Sequence, residues 1–174
     1  MIQIYVQELS TYNSAIGVGE WMNVSDFDTK LPELMKRATE VLIENGYYNG
    51  YEAEEYEILD WECDVDINLD SIYGDIKTLK ELNELLKESN EDEIKKISFL
   101  MAEGCSVKDL KDAIDEVYYY PDWDEACDEF IELYLQINVD EKVYPYIDFQ
   151  KVQRDLEYSG EFSEYNGEVY ARFN

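Results

Sequence analysis

Asp60, Glu62, Asp64 and Asp66 stand at every second position between Leu59, Trp61, Cys63, Val65 and Ile67. Carboxylates serve as general acids and bases, as metal ligands, or as fixed negative charges, and spacing separates these uses. On a strand, the side chains of one face recur every second residue at a rise of about 3.3 Å, so these four fall roughly 6.6 Å apart in a line. Phosphates of one DNA strand advance about 3.4 Å each along the axis, so neighbouring carboxylates span about two phosphate steps. A strand with one wet face is polar there in any case, so the row taken by itself reads as a solvated face. It becomes informative only with the charge of the rest of the chain.

Other chemistries are excluded or weak. None of the 174 residues is histidine, which removes Ser-His-Asp and Cys-His catalysis and mixed Cys/His zinc sites. Gly17 and Gly19 are followed by Met22 where a dinucleotide fingerprint needs glycine, and no P-loop is present. Pairs of carboxylates suited to glycoside hydrolysis arise everywhere by chance among 42 acids. Asp64, Asp66, Asn68, Asp70 and Asp75 fall on ligand positions of a twelve-residue calcium loop, but Leu69 occupies the position that must be glycine. Calcium binding is therefore a minor alternative, and no cofactor or metal is expected. Cys63, Cys105 and Cys127 form no C-x-x-C pair and are odd in number, which fits reduced thiols acting as small hydrophobes in the cytoplasm. The opening "MIQIYVQEL" lacks a basic leader, and no apolar run approaches 18 residues, so neither secretion nor a membrane span is expected.

The chain carries 42 acids against 14 Lys and Arg, a formal charge of -28, yet 45% of it is hydrophobic and 16 residues are Tyr. Such a chain can bury a core, so its charge does not imply disorder. Self-repulsion on this scale weakens the compact state and is retained for solubility or for a field felt by a partner. That partner is basic; direct binding to nucleic acid or to an anionic membrane needs a positive patch that is missing. The acids are also segregated. Residues 39–76 hold twelve acids and residues 112–141 eleven, neither block with a single Lys or Arg. Separated blocks of one sign make a directional field. The candidate partner-binding residues are Asp60, Glu62, Asp64, Asp66, Asp70 and Asp75 in the first block. In the second they are Asp112, Asp115, Glu116, Asp122, Asp124, Glu125, Asp128, Glu129 and Glu132.

The elements that must carry these acids can be read from periodicity. Ile2, Ile4 and Val6 predict a strand, a polar turn at Tyr12 to Ser14 follows, and "GVGEWMNV" predicts a second strand. Leu31, Leu34, Met35, Ala38, Val41 and Leu42 repeat at helical spacing up to Gly46, and the alternating stretch Leu59 to Ile67 predicts a third strand. Capping patterns at Thr78, Asn90 and Ser106 open three helices, and a fourth runs from about Trp123 with Ala126, Cys127, Phe130, Ile131 and Tyr134 on one side. Among the tyrosines, "YYYP" at Tyr118 to Pro121 reads as core or as an exposed aromatic patch. Asp148 caps a helix ending at Gly160, and Asn166-Gly167 marks a closing hairpin. The expected fold is α+β, an elongated chain of three modules. These are an α+β module over 1–70 (a small antiparallel sheet and a helix), a helical module over 71–117, and an α+β module over 118–174.

Four stretches resemble one known family: "IYVQELSTYN" with "VGEW", then "ILDWE", and above all "PYIDFQKVQRDLEYSGEF" at Pro145 to Phe162. They are similar, in the same order over nearly the whole chain, to the ArdA antirestriction proteins. Tyr146, Ile147, Asp148, Arg154, Asp155, Leu156 and Gly160 carry the most specific part of the match, with Phe149 where the family commonly has Tyr. The resemblance implies a non-catalytic, acidic protein of mobile elements. It also implies a homodimer formed through the C-terminal module, where this motif serves folding or dimerisation. Such a dimer imitates bent DNA and fills the DNA groove of the methyltransferase core of Type I restriction-modification enzymes. Twice the charge of -28 is -56, the charge of about 95 Å of B-DNA at one charge per roughly 1.7 Å. An acidic mimic aimed at another DNA-binding defence or regulatory protein is the alternative.

Overall fold

The computed structural model describes residues 1–134 and 142–173. They form an α+β fold with two small antiparallel sheets, and the chain divides into two compact units, Met1–Asn90 and Glu91–Asn174. The boundary falls inside the stretch read from the sequence as a helical middle.

In the first unit β1 (Ile2–Glu8) is the central strand, with β2 (Val18–Asn23) on one side and β3 (Tyr56–Cys63) on the other. The alternation of β1 sets its two faces: Ile2, Ile4 and Val6 are fully buried beside Val18, Met22 and Ile58. Helix α2 (Phe27–Glu44) lies on that face through Leu34, Ala38 and Leu42, and each buried Leu or Ile contributes about 1.5–3 kcal/mol. Arg37 of α2 also reaches Glu20 of β2 at 2.7 Å. Helix α3 (Ile76–Glu88) buries Leu79, Leu82, Leu85 and Leu86 and presents Asn83, whose Oδ1 accepts the Ile2 N–H at 3.0 Å.

The connection expected as a polar turn is a one-turn helix, α1 (Leu9–Asn13). Its cap is unusual: the carboxylate of the fully buried Glu8 accepts the N–H groups of Ser10 and Thr11 at 2.8 and 2.7 Å. Thr11, also buried, donates its hydroxyl to the Glu8 carbonyl and accepts the Val18 N–H. These bonds join the end of β1 to the start of β2.

At the other end of α2, Tyr47 N–H reaches the Leu42 carbonyl at 2.9 Å and Gly46 N–H reaches Ile43 at 3.1 Å, with Gly46 at φ +75. This pair of bonds is a Schellman stop, which needs a left-handed residue. Nothing lies within 4 Å of a Cβ built on Gly46, so Gly46→Ala isolates conformational strain. It should cost about 1 kcal/mol, read as a lower urea midpoint with an unchanged slope.

In the second unit β4 (Val117–Tyr120), β6 (Glu168–Arg172) and β5 (Phe162–Tyr165) form the sheet in that order. Asn166 and Gly167 both have positive φ, 54 and 81, as the tight turn between β5 and β6 requires. Helices α4 (Glu91–Ala102), α5 (Leu110–Asp115), α6 (Trp123–Glu129) and α7 (Phe149–Ser159) complete it, α6 continuing as a π-helical turn over Phe130–Tyr134. The core joins Tyr120, Ala126, Cys127, Leu156, Phe162, Val169 and Ala171, with Trp123 and Phe130 packed against it. Asp148 accepts the Lys151 N–H at 3.2 Å to open α7, and Gly160 closes it at φ +76. The strand β4 was not expected; it takes "VYYY" into the sheet, burying Tyr120 and leaving Tyr118 exposed.

Candidate docking surface

The acidic row from Asp60 to Asp66 is part strand and part loop. β3 begins at Tyr56 and ends at Cys63, which pairs with Ile2; β1 has no further residue to pair with beyond it. The expected strand through Ile67 is corrected accordingly. A bulge corrects the phase as well: Tyr5 pairs with Asp60 and Val6 with Ile58, so Leu59 is skipped and is 49% exposed rather than inward.

Exposure nevertheless alternates past the end of the strand. Trp61, Cys63 and Val65 are half-buried and Ile67 and Leu69 are buried, while Asp60, Glu62, Asp64, Asp66 and Asp70 are all exposed. Asp60 and Glu62 share the outer sheet face with Tyr5 and Gln3, their partners in β1. Asp64 accepts a hydrogen bond from the N-terminal ammonium, and Asp70 accepts the Trp61 indole N–H at 3.3 Å. Asp75 plays a different part. Its carboxylate accepts the Lys77 and Thr78 N–H groups and the Thr78 hydroxyl at 3.0, 3.2 and 2.7 Å, capping α3. The hydroxyl of Thr78, then its N–H, hold that carboxyl below its ordinary pKa.

The second set lies on the other unit. Asp112 and Asp115 are exposed on α5, and Glu116, just after it, lies 3.7 Å from Arg172. Asp122 caps α6 by accepting the Glu125 N–H at 2.9 Å. Glu125, Asp128, Glu129 and Glu132 follow at three- and four-residue spacing, on the side away from buried Ala126, Cys127 and Ile131. Helical neighbours of this kind have Cβ atoms about 5–6 Å apart, close to the strand repeat of about 6.6 Å. Strand and helix thus present carboxylates at comparable intervals. Asp124, Glu125 and Glu132 are exposed, whereas Asp128 and Glu129 are half-buried. Asp128 accepts the Tyr144 hydroxyl, which, with burial, pushes that phenol up to about 12. Beneath the stripe, burial and then the nearby acids push the Cys127 thiol up to about 11. Asp140 and Glu141, which end the second acidic block, lie outside the described residues, as does the side chain of Tyr134.

The cations are largely committed elsewhere. Lys80 pairs with Asp28 and Arg37 with Glu20, each at 2.7 Å, and Lys87 with Glu84 at 2.7 Å, all outside the candidate set. Exposed pairs of this kind add little stability, but they neutralise acids away from the two blocks and leave the blocks negative. Among the described residues no group of three or more His, Cys, Asp or Glu side chains is arranged to hold a metal ion, and no described helix is long and apolar enough to cross a membrane.

The C-terminal motif divides by role. Asp148, Leu156 and Gly160 build α7: a cap, a core residue 3% exposed, and a left-handed stop. Ile147 is half-buried, while Tyr146, Arg154 and Asp155 face solvent, Tyr146 at 86% exposure; Tyr158, on α7, is equally open at 82%. Sequence reasoning missed a polar knot in this unit. Lys95 of α4 donates to Tyr119 of β4 and to Glu168 of β6, both at 2.7 Å, and Tyr119 and Tyr170 donate to Glu168 at 2.9 and 3.0 Å.

A comparison with family models matches residues 4–171, nearly the whole chain and both units, to the family described as Antirestriction protein (ArdA). No curated protein matches the chain.

Proposed function

We propose that this chain, which belongs to the ArdA antirestriction family, acts by imitating DNA. Its carboxylates take the place of phosphates in the DNA-binding groove of a Type I restriction-modification enzyme, so that incoming mobile DNA is not cut. No bond is made or broken; the work is done by occupancy. The observation that carries this reading is the continued exposure of acids from Asp60 to Asp70, through the end of the strand, with half-buried and then buried apolar residues between them. A structural strand face has no reason to keep that alternation once its hydrogen-bonded partner has run out.

A protein built this way meets the enzyme's Lys and Arg side chains with preformed charge. Complementary fields speed encounter and suppress wrong partners. The active species is a homodimer paired through the module at 118–174, with the open rings of Tyr146 and Tyr158 as the apolar part of that contact. The decisive experiment is a competition titration, in which fluorescent duplex bound to a Type I methyltransferase core is displaced by this protein. Displacement complete near one dimer per enzyme supports the mimicry. Failure to displace duplex at low salt overturns it and turns the search to other basic DNA-binding proteins of defence or regulation.

A further inference from the structure

The first unit contains a cleft of about 510 Å³ along the outer edge of β3, lined by Tyr56, Glu57, Ile58, Asp70, Ser71 and Tyr73. β3 has one strand neighbour, β1, so its other edge faces this opening. We propose that the cleft is a receptor for an arginine side chain of a protein partner. The proposal rests on the reading that the partner is basic, and adds to it one defined seat within an otherwise spread-out charge match.

The lining offers acceptors and aromatic faces but no cation. Neither Glu57 nor Asp70 makes an ion pair among the described residues, and the segment 39–76 contains no Lys or Arg that could turn inward to neutralise them. An anion is repelled, and among the described residues no group of three or more His, Cys, Asp or Glu side chains is placed to hold a metal ion. A guanidinium fits each feature. It carries five donors and no acceptor, matches carboxylates in a planar fork, and is weakly enough hydrated to lie on an aromatic face. Unpaired carbonyls on a strand edge add further acceptors.

The walls are held before anything binds. Tyr56 sits edge-on to Phe27 with ring centroids 5.5 Å apart. Asp70 donates its N–H to Asn68 Oδ1 at 2.8 Å while its carboxylate takes the Trp61 indole N–H. Tyr73 N–H and Ile72 N–H both reach the Leu69 carbonyl at 2.9 Å, fixing the turn that carries the second ring. Ile58, 7% exposed, is the floor. Tyr56 and Tyr73 each keep 37% exposure, so both rings remain open to a ligand.

The test is an NMR titration of the whole chain with N-acetyl-arginine amide, alongside its neutral isostere N-acetyl-citrulline amide. Saturable shifts confined to residues 56–58 and 70–74, seen with arginine and not with citrulline, are expected. Removing both charges with Glu57→Gln and Asp70→Asn should weaken binding about tenfold, and Tyr73→Leu by a smaller factor. These side chains are at the surface, and the unchanged resonances of Ile2, Ile4 and Val6 report that the unit is still folded. Non-saturating shifts spread over the acids of both units overturn the proposal, as does equal binding of citrulline or undiminished binding to the double variant. No restriction enzyme enters this assay, so its failure leaves the competition titration unaffected, and failure of that titration leaves this site intact.

Discussion

Raising the salt from 50 to 200 mM should weaken the hold of this protein on a Type I methyltransferase core about 10³-fold or more, the range seen when six to ten phosphates are displaced. The expectation follows from how the acids are held. Asp60, Glu62 and Asp70 on one unit and Asp112, Asp124, Glu125 and Glu132 on the other are exposed, so their charge is balanced by ions from solution. A complex with a basic groove releases ions from both surfaces, which is the term that makes DNA binding so sensitive to salt. The same distribution makes single substitutions weak. Asp60→Asn or Glu62→Gln alone should change affinity by less than about fivefold, as for other exposed charges. The check is the slope of log affinity against log salt in the competition titration. A slope shallower than about -2, the release of two ions, would mean that an apolar contact carries the complex, and phosphate imitation would be abandoned.

The parts of this fold legible in the sequence are those decided by neighbours a few residues apart. Ile2, Ile4 and Val6 set a strand face by period two, Gly46 and Gly160 stop helices by their own φ, and Asn166-Gly167 closes a hairpin. The segregated acids were legible for the same reason, since exposure follows from charge. What was hidden depends on long-range pairing. Val117 to Tyr120 shows no alternation and becomes a strand because β6, some fifty residues later, needs a neighbour. The end of β3 is set by where β1 begins, and its phase by a bulge at Leu59 that no local pattern announces. The cleft lies downstream of both effects, because residues 56–58 and 70–74 meet only once the bulge and the turn at Leu69 are in place. The one-turn helix α1 was hidden for another reason: a buried carboxylate, Glu8, does the capping ordinarily done by Ser, Thr, Asp or Asn.

Glu168→Ala should destabilise the second unit by about 2 kcal/mol, between the worth of an exposed pair and the cost of breaking a fully buried one, because Lys95 and Glu168 are both half-buried. One carboxylate there accepts from Lys95, Tyr119 and Tyr170, and Tyr170, 2% exposed, stacks on Phe99 with centroids 4.4 Å apart. Alanine leaves Lys95 with the Tyr119 hydroxyl as its one remaining partner and takes the acceptor from the Tyr119 and Tyr170 hydroxyls, the second of them on a buried residue. Burial alone pushes the Glu168 carboxyl up, but the hydrogen bonds from Lys95, Tyr119 and Tyr170 outweigh it and hold its pKa below the ordinary 4.5. The sign follows. A folded-state pKa below the unfolded one gives stability that is complete above pH 4.5 and is lost as the pH falls through the lowered value. Lys95 has its pKa raised from 10.5 by its bonds to Glu168 and Tyr119, so its share persists until the pH climbs past 10.5. Measuring the parent against Glu168→Gln cancels the self-repulsion of a chain at -28, which otherwise dominates any pH profile. The difference should be flat between about pH 5 and 10 and should shrink below about pH 4. It is best read from urea unfolding followed by Trp123, which packs near Phe162 in the same unit. A loss below about 1 kcal/mol for Glu168→Ala, the worth of an ordinary exposed pair, would show that α4 is held to its sheet by Phe99 and its apolar neighbours alone.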